Sequence, residues 1–144
     1  MTFAIADIFG NKLILSELNR ARLDSEPGES GGHEEGGFVV INDLRDLAVV
    51  RWDKGLQNEI VLPPHKNCFV DGKDIIVSFH THPNTGRDFQ QEPSLTDIRA
   101  VSDDFDLKSE FYLGELVISE QNIYLIGPVG DYHIIGVTEL ILER

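Results

Sequence analysis

Apolar residues fall along the chain in two different rhythms. After the break signal Gly10-Asn11, Ile14, Leu18 and Ala21 recur at helical spacing with Leu15 beside them, which predicts an amphipathic helix over 11–23. Elsewhere the apolar runs are short and rich in β-branched residues. Phe38-Val-Val-Ile41 and Leu47-Ala-Val-Val-Arg-Trp52, separated by the polar segment 42–46, predict a hairpin. Asp74-Ile-Ile-Val-Ser-Phe79 predicts a third strand, closed off by Pro83. Leu116-Val-Ile118, Ile123-Tyr-Leu-Ile126 and Tyr132 to Leu142 read as further strands punctuated by glycines, and Ser94 to about Asp104 as a short helix. Pro63-Pro64 excludes regular structure at that point. Residues 24–33 form a polar, flexible loop rich in Gly and Ser. So little chain precedes it that the loop is expected to border a functional site rather than to link two domains. The sum is an α/β (α+β) chain in which two or more helices flank a mixed central sheet.

Composition narrows this picture. With 144 residues the chain is expected to form one domain over 1–144. A lone cysteine, Cys68, excludes an internal disulfide framework and any multi-cysteine metal site. Twelve Lys+Arg against 25 Asp+Glu give a formal charge of −13, which opposes phosphate-backbone binding, so no nucleic-acid partner is expected. No apolar run reaches the length of a membrane span, and Met1–Phe9 carries Asp7 without a positive n-region. The expectation is a cytoplasmic protein with no membrane partner. Acidity concentrates late: residues 84–110 hold seven acids and three bases. Blocks such as Asp103, Asp104 and Asp106 read as a solvated face, serving solubility or attracting a basic partner.

Candidate chemistry begins at His80-Thr81-His82-Pro83. Residues i and i+2 of a strand share a face, so two imidazoles can be presented to one point where the proline ends the strand. Two imidazoles, one carboxylate and a water would make a tetrahedral zinc site with an open position; the alternative is a pair of exposed edge histidines. Pro93-Ser94-Leu95-Thr96-Asp97 supplies a candidate third ligand, Asp97. The same residues read as a capping box at a helix start, and the two readings are compatible, because a capped turn would fix Asp97 and leave the Ser94 hydroxyl towards the reacting oxygen. Upstream, His33-Glu34-Glu35-Gly36-Gly37-Phe38 brings acids to a loop entering a strand, where one could serve as general base.

Taken in order, these pieces resemble the JAMM (JAB-domain, MPN+) metalloproteases, in particular their compact bacterial members. That signature is an upstream Glu, then His-Ser/Thr-His-Pro, then Ser-x-x-Asp. Glu34-Glu35-Gly36-Gly37-Phe38-Val39-Val40 matches the Glu-x-Gly-Gly form followed by an apolar strand, and Ile75–Phe79 matches the strand before the histidines. The resemblance covers roughly Asn11 to Leu125. One spacing departs from it: ten residues, Asn84 to Pro93, separate Pro83 from Ser94 where the family most often has seven. A longer loop over the site, 84–93, is expected.

The resemblance implies an MPN/JAB (cytidine-deaminase-like) fold and a zinc ion held by His80, His82 and Asp97. The Gly-Gly register points to Glu34 as general base for a zinc-activated water, with Ser94 donating to the developing oxyanion. It implies hydrolysis of an isopeptide or peptide bond after the C-terminus of a ubiquitin-like protein, with E1-like or E2-like proteins as further partners. Two rival readings are a non-catalytic MPN-like interaction domain and a metal-dependent phosphoesterase. The remaining candidates stay outside this set. His65 reads as a surface loop residue, His133 as a strand residue, His33 as a neighbour able to hydrogen-bond near the site, and Cys68 as a small buried apolar residue. Trp52 belongs to core or groove.

Overall fold

The computed structural model describes residues 3–28, 32–86 and 90–142. The first elements are α1 (Ile5–Phe9) and α2 (Lys12–Asp24). The predicted start of α2 is set by Asn11, whose side chain accepts from Leu13 N at 3.0 Å and Ile14 N at 3.1 Å. Its stripe of Ile14, Leu18 and Ala21 is buried, as the spacing requires.

Seven strands follow in one mixed sheet: β1 (Gly36–Ile41), β2 (Leu47–Arg51), β3 (Phe69–Val70), β4 (Lys73–Thr81), β5 (Gly114–Ile118), β6 (Asn122–Ile126) and β7 (Tyr132–Val137). The order across the sheet is β2-β1-β4-β5-β6-β7, with β3 paired to the start of β4. Only β4 and β5 run parallel, and the segment joining them carries α3 (Leu95–Ser102). β4 is central and buried on both faces, which accounts for its nearly unbroken apolar run.

Two apolar layers cover the sheet. One includes Ile8 of α1, Ile14 and Leu18 of α2, and Val39, Val77, Phe79, Leu116 and Ile118 of the strands. The other includes Val101 of α3, Leu107 and Tyr112 beyond it, Trp52 after β2, and Phe38, Val117, Tyr124 and Ile126 of the strands. A β-bulge decides which layer the histidines face. Val39 pairs with Val77 and Val40 with Ile75, leaving Ile76 as the extra residue. Ile75 accordingly points into the α3 layer, whereas Ile76, Val77 and Phe79 point the other way. Beyond the bulge the even-numbered positions, Ser78 and His80, therefore face α3.

Two expectations need correction. Tyr132 to Leu142 is not one strand: β7 ends at Val137, and Thr138–Leu142 forms a short helix, α4. Ile141 and Leu142 are both buried there, and consecutive residues share a buried side far more readily on a helix than on a strand. Thr138 locks the turn by donating Oγ1–H to Ser119 O at 2.9 Å. His65 is not simply a surface residue either. Its side chain is 13% exposed, with Nε2 2.7 Å from Asp104 Oδ2 and its ring against Phe38.

Part of the 24–33 segment, residues 29–31, lies outside the described residues, as do 87–89 of the 84–93 loop. The described flank of the first loop does border the histidine strand. Gly28 N donates to Pro83 O at 3.0 Å and Thr85 N to Gly28 O at 3.1 Å. Among the described residues no helix is long and apolar enough to cross a membrane.

Candidate metal centre

Three chain segments meet at the open end of β4. His80 is the strand's penultimate residue and is 3% exposed; His82 follows the strand, held by His82 N donating to Ile118 O at 2.9 Å. Asp97 comes from the first turn of α3. There Ser94 Oγ accepts from Asp97 N at 3.0 Å while Ser94 N donates to Asp97 Oδ2 at 2.8 Å, a reciprocal capping box that fixes the carboxylate.

The two imidazoles and the carboxylate converge, one Asp97 oxygen towards each histidine. His80 Nε2 lies 3.3 Å from His82 Nε2 and 3.3 Å from Asp97 Oδ1, and His82 Nε2 lies 3.2 Å from Asp97 Oδ2. A tetrahedral ion with bonds of about 2.0–2.1 Å sets its ligands about 3.3–3.4 Å apart, the separation that each of these contacts shows, with either Asp97 oxygen on offer. His80, His82 and Asp97 are thus close enough to bind one metal ion.

Proton placement supports the fit. Each Nδ1 faces an acceptor: Glu115 Oε2 at 2.7 Å for His80 and Gln91 O at 3.2 Å for His82. A neutral imidazole that donates from Nδ1 has a bare lone pair at Nε2. Two lone pairs and a carboxylate then converge with no donor between them, an arrangement that calls for a cation. Without an ion, a second proton on His80 answers the same demand for positive charge. Burial opposes charge on His80, but the Glu115 and Asp97 carboxylates outweigh it and hold its pKa well above the ordinary histidine value. Burial also opposes charge on Asp97, yet its contacts with His80, His82 and Ser94 hold its carboxyl far below the usual range.

The two adjacent acids at the entry to β1 have different surroundings. Glu35 Oε1 meets Arg51 Nη2 at 2.5 Å, and its other oxygen meets His33 Nε2. Glu35 is therefore tied to β2, and His33 bonds to it rather than to the metal ligands. Glu34 lines two cavities that also share Ser94 and Asp97 in their walls. One, about 190 Å³, also exposes His82, Gln57 and Asn84; the other, about 310 Å³, exposes His80, Trp52, Glu59 and Glu115. Backbone bonds from Glu34 N to Leu56 O and from Gly55 N to Glu34 O, both 2.8 Å, hold it against the 55–59 segment. Burial pushes the Glu34 carboxyl up to about 7, eased by His80 and reinforced by Asp97 and Glu115.

The glycines after the acids have a packing cause. A Cβ at Gly36 would lie 2.3 Å from the Trp52 ring and 2.7 Å from Phe79 O; one at Gly37 would lie 2.7 Å from the Phe79 ring. Their absence lets β1 lie close to Trp52 and β4, which brings Glu34 near the histidines. Trp52 is core and groove at once, 4% exposed and edge-on to Phe38 at 5.1 Å while lining the larger cavity. Cys68 is buried, its thiol pushed up to about 12 by that burial, and His133 is exposed along β7.

Sequence reasoning missed Glu115. Its signal was a single acid inside the apolar run Gly114-Glu-Leu-Val-Ile118, but parallel pairing was needed to set it opposite Ser78 and within reach of His80. No family model, curated protein or solved structure matches the chain.

Proposed function

We propose that the chain is a zinc-dependent metallopeptidase of the JAMM type, cleaving an isopeptide or peptide bond after the C-terminus of a ubiquitin-like protein. The observation that carries this reading is the joint geometry of three segments. His80, His82 and Asp97 bring their ligand atoms close enough for one metal ion, and Glu34 and Ser94 line the same cleft. The ordered sequence signature adds to it, and a mixed sheet flanked by helices agrees with an MPN/JAB-like fold. Two imidazoles and one carboxylate form the donor set of a catalytic zinc site rather than of a closed structural one.

His80, His82 and Asp97 would hold the ion. Bound there, zinc would supply Lewis acidity and an ionisable water near neutral pH. Glu34 would accept the proton released at the attacking oxygen and return it to the leaving amine. Burial strengthens this carboxylate as a base, an effect that a bound zinc ion would partly offset. Ser94 Oγ accepts from Asp97 N, which leaves its hydroxyl proton to donate to the oxyanion as charge develops. E1-like or E2-like proteins would supply or present the substrate, and the surplus of acids would favour a basic partner surface.

The test combines metal analysis with turnover. Purified protein is expected to hold about one zinc per chain, and Asp97→Asn, which can keep the cap, should lose it. Glu34→Gln should keep zinc while cleavage of a ubiquitin-like fusion or isopeptide conjugate falls by about 10²–10⁴-fold. Two tightly held metals per chain, or full activity in Glu34→Gln, would sink the assignment.

A further inference from the structure

Three buried polar residues behind His80 are used by no step above. Ser78 is fully buried, Glu115 is 3% exposed and Tyr112 4%. Their contacts form a line: Tyr112 Oη to Ser78 Oγ at 2.6 Å, Ser78 Oγ to Glu115 Oε1 at 2.8 Å, and Glu115 Oε2 to His80 Nδ1 at 2.7 Å.

The proton order along this line follows from the groups themselves. An ionised carboxylate only accepts, so His80 donates Nδ1–H to one oxygen and Ser78 donates its hydroxyl to the other. Ser78 has then spent its proton, and the Tyr112 hydroxyl must donate to Ser78 Oγ. The chain is fully satisfied in one sense only. Both carboxylate oxygens are engaged, as a buried carboxylate requires.

We propose that Glu115 is a positioning residue of the metal centre, fixing His80 in the Nδ1–H tautomer so that its Nε2 lone pair faces His82 and Asp97. The inference rests on the reading that this triad binds a metal ion. Ser78 and Tyr112 orient Glu115 in turn. The sheet makes the arrangement rigid: Glu115 sits opposite Ser78 in the parallel β4–β5 pair, with His80 two residues further along β4. A carboxylate behind a ligating imidazole also makes that imidazole a better donor to the metal. His82 Nδ1, by contrast, faces a main-chain carbonyl of the 84–93 segment, that of Gln91. Of the two imidazoles, His80 is the one held from within the core.

Zinc affinity of the full chain, measured by competition with a chromophoric chelator, tests the proposal. Glu115→Gln keeps the side-chain shape but removes the charge and one acceptor, and should weaken zinc binding by about 10–100-fold. Ser78→Ala, which leaves the His80 contact in place, should weaken it by a few-fold. The spectroscopic readout is histidine ¹⁵N and imidazole proton NMR of the zinc-loaded protein. Wild type should carry the His80 proton on Nδ1 as a slowly exchanging, downfield signal. In Glu115→Gln that signal should move upfield and exchange faster, a change that loss of packing elsewhere would not produce. Unchanged zinc affinity in Glu115→Gln, or a wild-type His80 bearing its proton on Nε2, overturns the proposal and leaves the metal reading standing. Wild-type protein that takes up no zinc overturns both. Should Glu115→Gln not fold, the wild-type tautomer and the Ser78→Ala affinity still decide the matter.

Discussion

Replacing Glu34 by Gln in the metal-free protein isolates the electrostatic strain of the site. Glu34 is 6% exposed, and its carboxyl rises from 4.5 to about 7 on folding, chiefly through burial. Between those values the folded chain binds a proton that the unfolded chain has released. Stability therefore falls as pH rises through the window from 4.5 to about 7, and the loss is complete above it. At roughly 1.4 kcal/mol per pH unit, the interval of about 2.5 corresponds to about 3 kcal/mol. Gln has the shape of the protonated acid at every pH. Variant and wild type should then be nearly equal in stability near pH 4, and the variant should lead by up to about 3 kcal/mol near pH 8. Other titrating groups, Asp97 included, are common to both proteins and largely cancel in the difference. Urea denaturation in chelator across this pH range measures it directly. A difference that stays flat with pH, or a wild type that is the more stable one near pH 8, would refute the reasoning. Zinc should shrink the gap, because a nearby divalent cation favours the ionised carboxyl.

Two further outcomes follow from other parts of the fold. Gly36→Ala should destabilise by at least about 1–3 kcal/mol, since the added methyl collides with the Trp52 ring and the Phe79 carbonyl; a variant within a few tenths of wild type by urea denaturation would show that β1 does not lie so close. His65 has Nδ1 2.6 Å from Pro63 O and Nε2 2.7 Å from Asp104 Oδ2, two acceptors that only an imidazolium satisfies together. Burial opposes that charge, but Pro63 and Asp104 outweigh it and raise the pKa above 6.5. Its stabilising contribution is full below 6.5 and is lost as pH rises through the higher folded value. The stability gap between wild type and His65→Asn should accordingly narrow as pH rises above 6.5, and a constant gap would contradict the imidazolium.

What could be read from the sequence was local. The spacing of His80 and His82 on a strand needs only the period of two, and the Ser94–Asp97 box needs only one helical turn. The choice between Glu34 and Glu35 depends on a residue outside the motif: Arg51 of β2 engages Glu35 and leaves Glu34 to the cleft. The bulge at Ile76 has no sequence mark, yet it sets the face on which Ser78 and His80 emerge. Alternating apolar residues hid the end of β7, because Thr138's turn depends on Ser119 from the far side of β6. Each of these depends on a partner distant in the chain, where period and propensity carry no information.

The same long-range partners explain why the site is short of positive charge. Among the described residues lining the two cavities none is a lysine or arginine, while Glu34, Asp97 and Glu115 converge on two imidazoles. The Arg51 guanidinium is held by Glu35, with Asp24 beyond it at 3.4 Å. With Arg51 engaged by Glu35, the Glu34 carboxyl keeps the raised pKa that burial gives it. The two acids that look interchangeable in the sequence therefore have opposite electrostatic surroundings: Glu35 sits against Arg51, while Glu34 is buried near Asp97, Glu115 and His80.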